Sequence, residues 1–204
     1  MQKKEELIQN FKTAIASTTK SVSNVKDIEV IFGNEKLKTN KKIIKLPDLQ
    51  NINEKIDYTK ARALADSEAL KIRYSNEKIL KSYEPEGNIS KKLYKIAEKI
   101  RYEKLGSDLF KGVKNNIEKY YQERVNSLDL KSSEDKIMES FENYLRVKFF
   151  DSKNSKEFEK KLKTYTKDLN EKLKGKIKLL SNSKLPKVVG LEGYGLEIVS
   201  TVGF

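Results

Sequence analysis

The chain has 204 residues, with 43 lysines and arginines against 30 acidic residues, a formal net charge of +13, and neither histidine nor cysteine. Without imidazole or thiolate groups, its side chains cannot build a zinc, haem, iron–sulfur or thiol-nucleophile site. Only carboxylates, lysines and tyrosines are left to carry protons near neutral pH, so a self-sufficient enzyme is not expected. The hydrophobic share of 37% is enough for one core built mainly from amphipathic helices.

The first quarter of the chain predicts a helix followed by two short strands. Residues at helical spacing open the chain: Leu7, Ile8, Phe11, Ala14, Ile15 and Thr18. Apolar residues then alternate over Ile28–Phe32, Gly33-Asn34 has the composition of a turn, and Ile43-Ile44 precedes Pro47. This pattern predicts a small β-hairpin, or a pair of strands, near the N-terminus.

The middle of the chain predicts a series of amphipathic helices. One apolar stripe begins after Asp57 and is ended by Pro85-Glu86-Gly87; it contains Ala65, Ala69, Ile72, Ile79, Leu80 and Tyr83. Ser90 is the expected cap of the next helix, and Gly106 is its expected stop. Ser107 or Asp108 is expected to start another helix. Ser132 or Ser133 is expected to start the helix after that. Phe158, Leu162, Tyr165, Leu169 and Leu173 continue the helical spacing to Gly175. The predicted fold class is mainly α, a helical bundle.

The last stretch of the chain differs in composition. Five of the nine glycines fall between Gly175 and Gly203, among residues that favour strands, such as Val188, Val189 and Ile198. We therefore predict two segments, a helical domain over 1–175 and a short β-rich tail over 176–204.

A few polar residues within the helices are candidates for function. Asp66 and Ser67, beside Glu68, form either a solvated or locally hydrogen-bonded polar patch or a contact with a partner. The three side chains fan around the helix axis and do not converge. Glu98 and Arg101 have the spacing of a surface ion pair.

Nucleic-acid binding and ATP hydrolysis each depend on particular residues. Tyr120, Tyr121 and Arg124 would stack on bases if the chain were a basic helical nucleic-acid-binding module, although aromatic residues at helical spacing are more often core. No phosphate-binding loop of the G-x-x-x-x-G-K-[ST] or G-x-G-x-x-G type occurs, so ATP hydrolysis by this chain alone is not expected.

Short blocks of residues carry a resemblance to a known family. They are Phe11-Lys12, Ala14 to Thr18, Glu29 to Gly33, Leu64 to Ser67, Ala69-Leu70, Arg73, Pro85-Glu86-Gly87, Glu98, Arg101, Glu103, Gly106 and Gly112-Val113. In order and spacing, over about residues 7 to 175, they resemble the N-terminal region of the CobT subunit of aerobic cobaltochelatase.

The resemblance implies an adaptor subunit of the ATP-dependent enzyme that inserts cobalt into hydrogenobyrinic acid a,c-diamide in cobalamin biosynthesis. Its implied partners are an AAA+ ATPase subunit and a large tetrapyrrole-binding subunit, in a ring-shaped hetero-oligomer. ATP, Mg and cobalt would belong to the assembled complex, and this chain would hold no cofactor and would not catalyse the reaction alone. The expected location is the cytoplasm, and neither a membrane nor a nucleic acid is an expected partner. Relatives also carry an acidic linker and a von Willebrand A-type domain, which this chain is too short to contain.

The resemblance also selects candidate residues for partner contact, namely Asp66, Ser67, Arg73, Glu98, Arg101 and Glu103. Family members tend to have histidines after the Arg73 region, where this chain has Tyr74, Ser75 and Asn76. No role of those histidines can therefore be carried over.

The tail from Lys176 is similar to the C-terminal strand-loop-strand of GTP cyclohydrolase II. Ser181 and Lys187 fall near the positions that contact GTP in that enzyme, one residue further apart than is usual there. The enzyme's catalytic zinc requires cysteines, which this chain lacks. A third hypothesis, GTP-dependent riboflavin chemistry, rests on this tail alone.

Overall fold

The computed structural model describes residues 2–33, 42–49, 55–126 and 132–150. These ranges contain two strands, β1 (Ile28–Phe32) and β2 (Lys42–Leu46), together with six α-helices, so the mainly α prediction is confirmed. The helices are α1 (Gln2–Ser23), α2 (Lys55–Tyr74), α3 (Glu77–Ser82), α4 (Asn88–Leu109), α5 (Lys111–Asn126) and α6 (Ser133–Phe150). The predicted helix before Gly175 and the predicted β-rich tail lie outside the described residues, and the boundary between 175 and 176 stays a prediction.

The two strands pair as predicted, but the predicted hairpin is wrong because they run parallel. Ile28 lies opposite Lys42, and Phe32 lies opposite Leu46. A tight turn can only reverse the chain, whereas a parallel partner requires the chain to return along the whole strand, about 13 Å for five residues. The nine residues between the strands are long enough for that return. Gly33, at φ 68°, donates its N–H to the Leu46 carbonyl at 2.9 Å and extends the ladder.

The structure divides into two compact units, of which the first comprises the residues up to Ser75 together with Leu105–Arg124. Its sheet packs one face on α1 and α2, and the buried core there consists of Ile15, Ile28, Phe32, Ile44, Leu46, Leu49, Ala61 and Ala65. Phe11 meets Tyr58 edge to face, with ring centroids 4.8 Å apart. Farther along both helices, Arg73 reaches the Val22 carbonyl, so α1 and α2 run in the same direction.

A glycine predicted to end a helix lies inside one. Gly106 was expected to stop α4, but the helix continues to Leu109, and the following helix begins at Lys111 and not at Ser107 or Asp108. A side chain at position 106 would have its Cβ 2.1 Å from Cδ2 of the fully buried Leu70. Gly106 is therefore explained by the close approach of α4 to α2 within the first unit.

The described residues of the second unit are 76–104, 125–126 and 132–150. Its buried cluster joins α4 to α6 and consists of Leu93, Tyr94, Ala97, Ile100, Phe141, Leu145 and Phe150. As predicted, Ser132 caps α6, because its hydroxyl accepts a hydrogen bond from the Asp135 N–H at 3.0 Å. The predicted Ser90 cap is wrong by three residues, since α4 begins at Asn88, which places the cap at Gly87, and Ser90 lies buried in the first turn.

The single helix predicted from Asp57 to Tyr83 is divided into α2 and α3. Asn76 has an extended backbone, with φ −118° and ψ 109°, and its side chain accepts hydrogen bonds from the N–H groups of Lys78 and Ile79. This cap starts a new helix where the apolar spacing alone predicts continuity. Ile79 and Tyr83, expected in the buried stripe, are 54% and 55% exposed.

Candidate functional site

Asp66 lies on α2 and is buried, with 1% of its surface exposed. Its Oδ2 accepts a hydrogen bond from Nδ2 of Asn116 on α5, at 2.7 Å. Burial raises the pKa of the carboxyl, while the Asn116 hydrogen bond and the charge of Arg62, one turn earlier on α2, oppose this increase. Asp66 therefore links α2 to α5 in the interior of the first unit. Because Ser67 is also buried, these two residues do not form a solvated patch; the carboxylate of Asp66 is hydrogen-bonded instead.

Arg73, in the last turn of α2, holds the end of α1. Its Nη1 donates to the Val22 carbonyl at 3.0 Å, which satisfies one of the carbonyls that a helix leaves without an intrahelical partner at its C-terminus. Its guanidinium lies over the rings of Tyr74 and Phe110, at 5.5 and 5.4 Å from their centroids. The planar group thus serves packing and helix capping together.

Glu98 and Arg101 form the ion pair that their spacing predicts, but the pair is not at the surface. Arg101 Nε and Nη2 donate to the two carboxylate oxygens of Glu98 at 2.6 and 2.7 Å, and the side chains are only 10% and 13% exposed. This bidentate geometry is the stronger form of the interaction. Burial and the charges of Glu98 and Glu84 raise the pKa of the neighbouring Tyr94 hydroxyl, whereas Arg101 lowers it.

Glu103 is 1% exposed and lies opposite Arg146 of α6, whose Nη2 donates to Glu103 Oε2 at 2.5 Å. The same nitrogen lies 3.2 Å from Oε1 of Glu142, and Lys99 Nζ lies 3.4 Å from that oxygen. These four residues form a buried charged network between α4 and α6.

The six candidate contact residues thus fall into two groups. Asp66, Ser67 and Arg73 belong to the first unit, and Glu98, Arg101 and Glu103 to the second. Most of them are buried in hydrogen bonds or ion pairs, so they hold helices in place in this state, and their role in partner contact stays a prediction. The weak GTP-like positions, Ser181 and Lys187, lie outside the described residues.

The residues considered for nucleic-acid binding are engaged with one another. The rings of Tyr120 and Tyr121 meet edge to face with centroids 5.1 Å apart, and Arg124 lies over the Tyr121 ring at 5.4 Å. Tyr121 is buried. These contacts are typical of helix packing and do not favour base stacking.

Sequence reasoning missed Asn116, Glu142 and Arg146 as partners of the candidate residues. Asn116 lies 50 residues from Asp66, and Arg146 lies 43 residues from Glu103. The one local signal is the spacing of four residues between Glu142 and Arg146, which predicts a helical ion pair but not its burial. Among the described residues, no group of three or more acidic side chains is arranged to hold a metal ion.

Fold and site together define a mainly helical protein in which buried charged side chains join helices. No helix in the described ranges combines the length and the apolar character needed to cross a membrane. The sequence matches the family described as cobalamin biosynthesis protein CobT over residues 5–183. The chain belongs to this family. Among solved structures, no match was found.

Proposed function

We propose that this chain is the adaptor subunit of an ATP-dependent cobaltochelatase, which inserts cobalt into hydrogenobyrinic acid a,c-diamide. The observation that carries the proposal is the family match, which spans residues 5–183 and thus most of the chain. The AAA+ ATPase subunit and the large tetrapyrrole-binding subunit are its proposed partners, in a ring-shaped hetero-oligomer in the cytoplasm.

The composition supports a division of labour within this complex. Since the chain has no histidine or cysteine, it offers neither imidazole nor thiolate as a ligand for cobalt, and no side chain that titrates near neutral pH without a shifted pKa. ATP and Mg would bind to the motor subunit, and cobalt, as a substrate, would be handled by the large subunit. The adaptor would then favour one nucleotide state of the ring through differential contacts.

The side chains of the contact candidates support a positioning role in this adaptor. Arg73 is half-buried, whereas the side chain of Glu98 is only 13% exposed and Asp66 and Glu103 are almost completely covered. A partner that touches this chain would therefore meet Arg73 first, and the buried residues, including Glu98, would keep their helices in the geometry that the partner recognises.

Co-elution with the AAA+ subunit in the presence of ATP and Mg tests the proposal. We expect a complex that is lost without nucleotide. The Glu98→Gln variant should weaken it, and Lys95→Gln, a change of an exposed side chain on the same helix, is the matched control. If neither the parent chain nor any variant elutes with the ATPase, under conditions where a longer relative assembles, the adaptor role is wrong.

A further inference from the structure

Ion pairs between described side chains connect α4 to α6 in the second unit. Lys92 pairs with Glu134, Lys99 with Glu142 at 3.4 Å, and Glu103 with Arg146 at 2.5 Å. The separations along the chain are 42, 43 and 43 residues. A nearly constant difference in residue number means that the two helices run parallel and share one register.

The pairs follow a single seam along both helices. From Lys92 to Glu103 the rise along α4 is about 16 Å, and from Glu134 to Arg146 the rise along α6 is about 18 Å, at 1.5 Å per residue. Because the two distances nearly agree, all three pairs form with the helices side by side. We call the inner residues Lys99, Glu103, Glu142 and Arg146 the charged ladder.

The apolar contacts between these helices do not select this register by themselves. The cluster places Leu93, Ala97 and Ile100 of α4 against Phe141 and Leu145 of α6. Apolar attraction has no direction, and the spacing of three and four residues repeats along both helices. A slide by one helical turn would therefore again bring apolar side chains together.

The charged ladder opposes a slide in either direction. If α6 moved four residues toward the start of α4, Arg146 would lie opposite Lys99. If it moved four residues toward the end of α4, Glu142 would lie opposite Glu103, two carboxylates that are almost completely buried. Breaking buried pairs costs enough to lower the population of each displaced register by about a hundredfold or more.

We propose that the charged ladder is a register-setting device: it fixes the offset of α6 along α4 by making both neighbouring registers unfavourable. Buried ion pairs often add little net stability compared with apolar residues of similar volume, while a buried polar group can select one alignment of two helices. The ladder therefore acts on the choice of structure more than on the free energy of unfolding.

Cysteine pairs introduced into this cysteine-free chain report the register directly. Glu134→Cys is combined in turn with Lys92→Cys, Asn88→Cys or Lys95→Cys, all at exposed or half-exposed positions, and each protein is treated with a short bifunctional thiol reagent. The Lys92–Glu134 pair is half-exposed and contributes little, so its loss leaves the inner ladder intact. We expect the 92/134 pair to cross-link at least about a hundredfold faster than the other two.

Two variants test the ladder in this background. In the triple variant, Glu103→Leu with Glu142→Met and Arg146→Met, neither slide of α6 breaks the Glu103–Arg146 pair or brings two buried like charges together. The cross-links at 88/134 and 95/134 should then approach the rate of 92/134. In Glu142→Gln, the slide toward the end of α4 no longer places two carboxylates opposite each other but still breaks the Glu103–Arg146 pair. The 95/134 cross-link should therefore increase more than the 88/134 cross-link, and less than in the triple variant. Circular dichroism checks that each variant is folded.

If the triple variant does not fold, the Glu142→Gln variant still tests the proposal. Exclusive cross-linking of 92/134 in every folded variant would show that apolar packing sets the register, and the proposal would be wrong.

Discussion

The substitution Gly106→Ala tests the close approach of α4 to α2. The new Cβ would lie 2.1, 2.5 and 2.8 Å from Cδ2, Cδ1 and Cγ of Leu70, and Leu70 is fully buried, so rotation of its side chain does not relieve the clash. Overpacking of this kind costs about 1–3 kcal/mol, against a gain of about 1 kcal/mol from helix propensity. We expect a net loss of up to roughly 2 kcal/mol in the free energy of unfolding.

Urea unfolding followed by circular dichroism measures this loss, and two further variants complete the experiment. Gly112→Ala, on α5, is the matched control, because no atom lies within 4 Å of the position of its Cβ; it should be neutral or stabilise by up to about 1 kcal/mol. Leu70→Ala should cost about 2–5 kcal/mol alone but should remove the penalty of Gly106→Ala in the double variant. If Gly106→Ala stabilised the chain as Gly112→Ala does, the described packing would be wrong.

Three other substitutions test polar side chains that hold or cap the helices. Burial raises the pKa of Asp66 above its ordinary 3.8, which means that the folded state favours the protonated carboxyl. The contribution of Asp66 to the free energy of unfolding is therefore fully present below pH 3.8 and is lost as the pH rises through the pKa of the folded state. Asp66→Asn should therefore raise the melting temperature at pH 7 but not near pH 3, with Glu68→Gln as the exposed control; an equal effect at both pH values would contradict this. Asn76→Ala removes the cap of α3, worth about 1 kcal/mol. Since α3 buries no residue, the loss should appear as faster amide exchange in α3 with little change in global unfolding, and Asn76→Asp should restore protection. Arg73→Lys should cost roughly 1 kcal/mol in urea unfolding, because an ammonium cannot stack on two rings while it bonds the Val22 carbonyl, and a fully stable lysine variant would exclude this role.

The features predicted correctly are those with local causes. The spacing from Leu7 to Thr18 is enough to predict α1, and Ser132 caps α6 through an N–H only three residues away. The break at Asn76 is also local, since Asn favours N-caps over helix interiors, but the apolar period on both sides concealed it.

The incorrect predictions depend on contacts between distant residues. Whether β2 runs parallel to β1 depends on the packing of both strands against α1 and α2, and the turn signal at Gly33-Asn34 does not contain that information. Glycine often ends helices, but at position 106 a glycine is needed because Leu70 of another helix lies too close for a side chain. The burial of Glu103 likewise requires Arg146, and a search by spacing along one helix cannot find that partner.

Reconstitution of cobalt insertion tests the central claim most directly. The AAA+ subunit, the large subunit, ATP, Mg, cobalt and hydrogenobyrinic acid a,c-diamide are combined with and without this chain, and the chain is also assayed alone. The account predicts insertion only when all three proteins are present. Insertion or ATP hydrolysis by this chain alone, or equal insertion without it, would contradict the account.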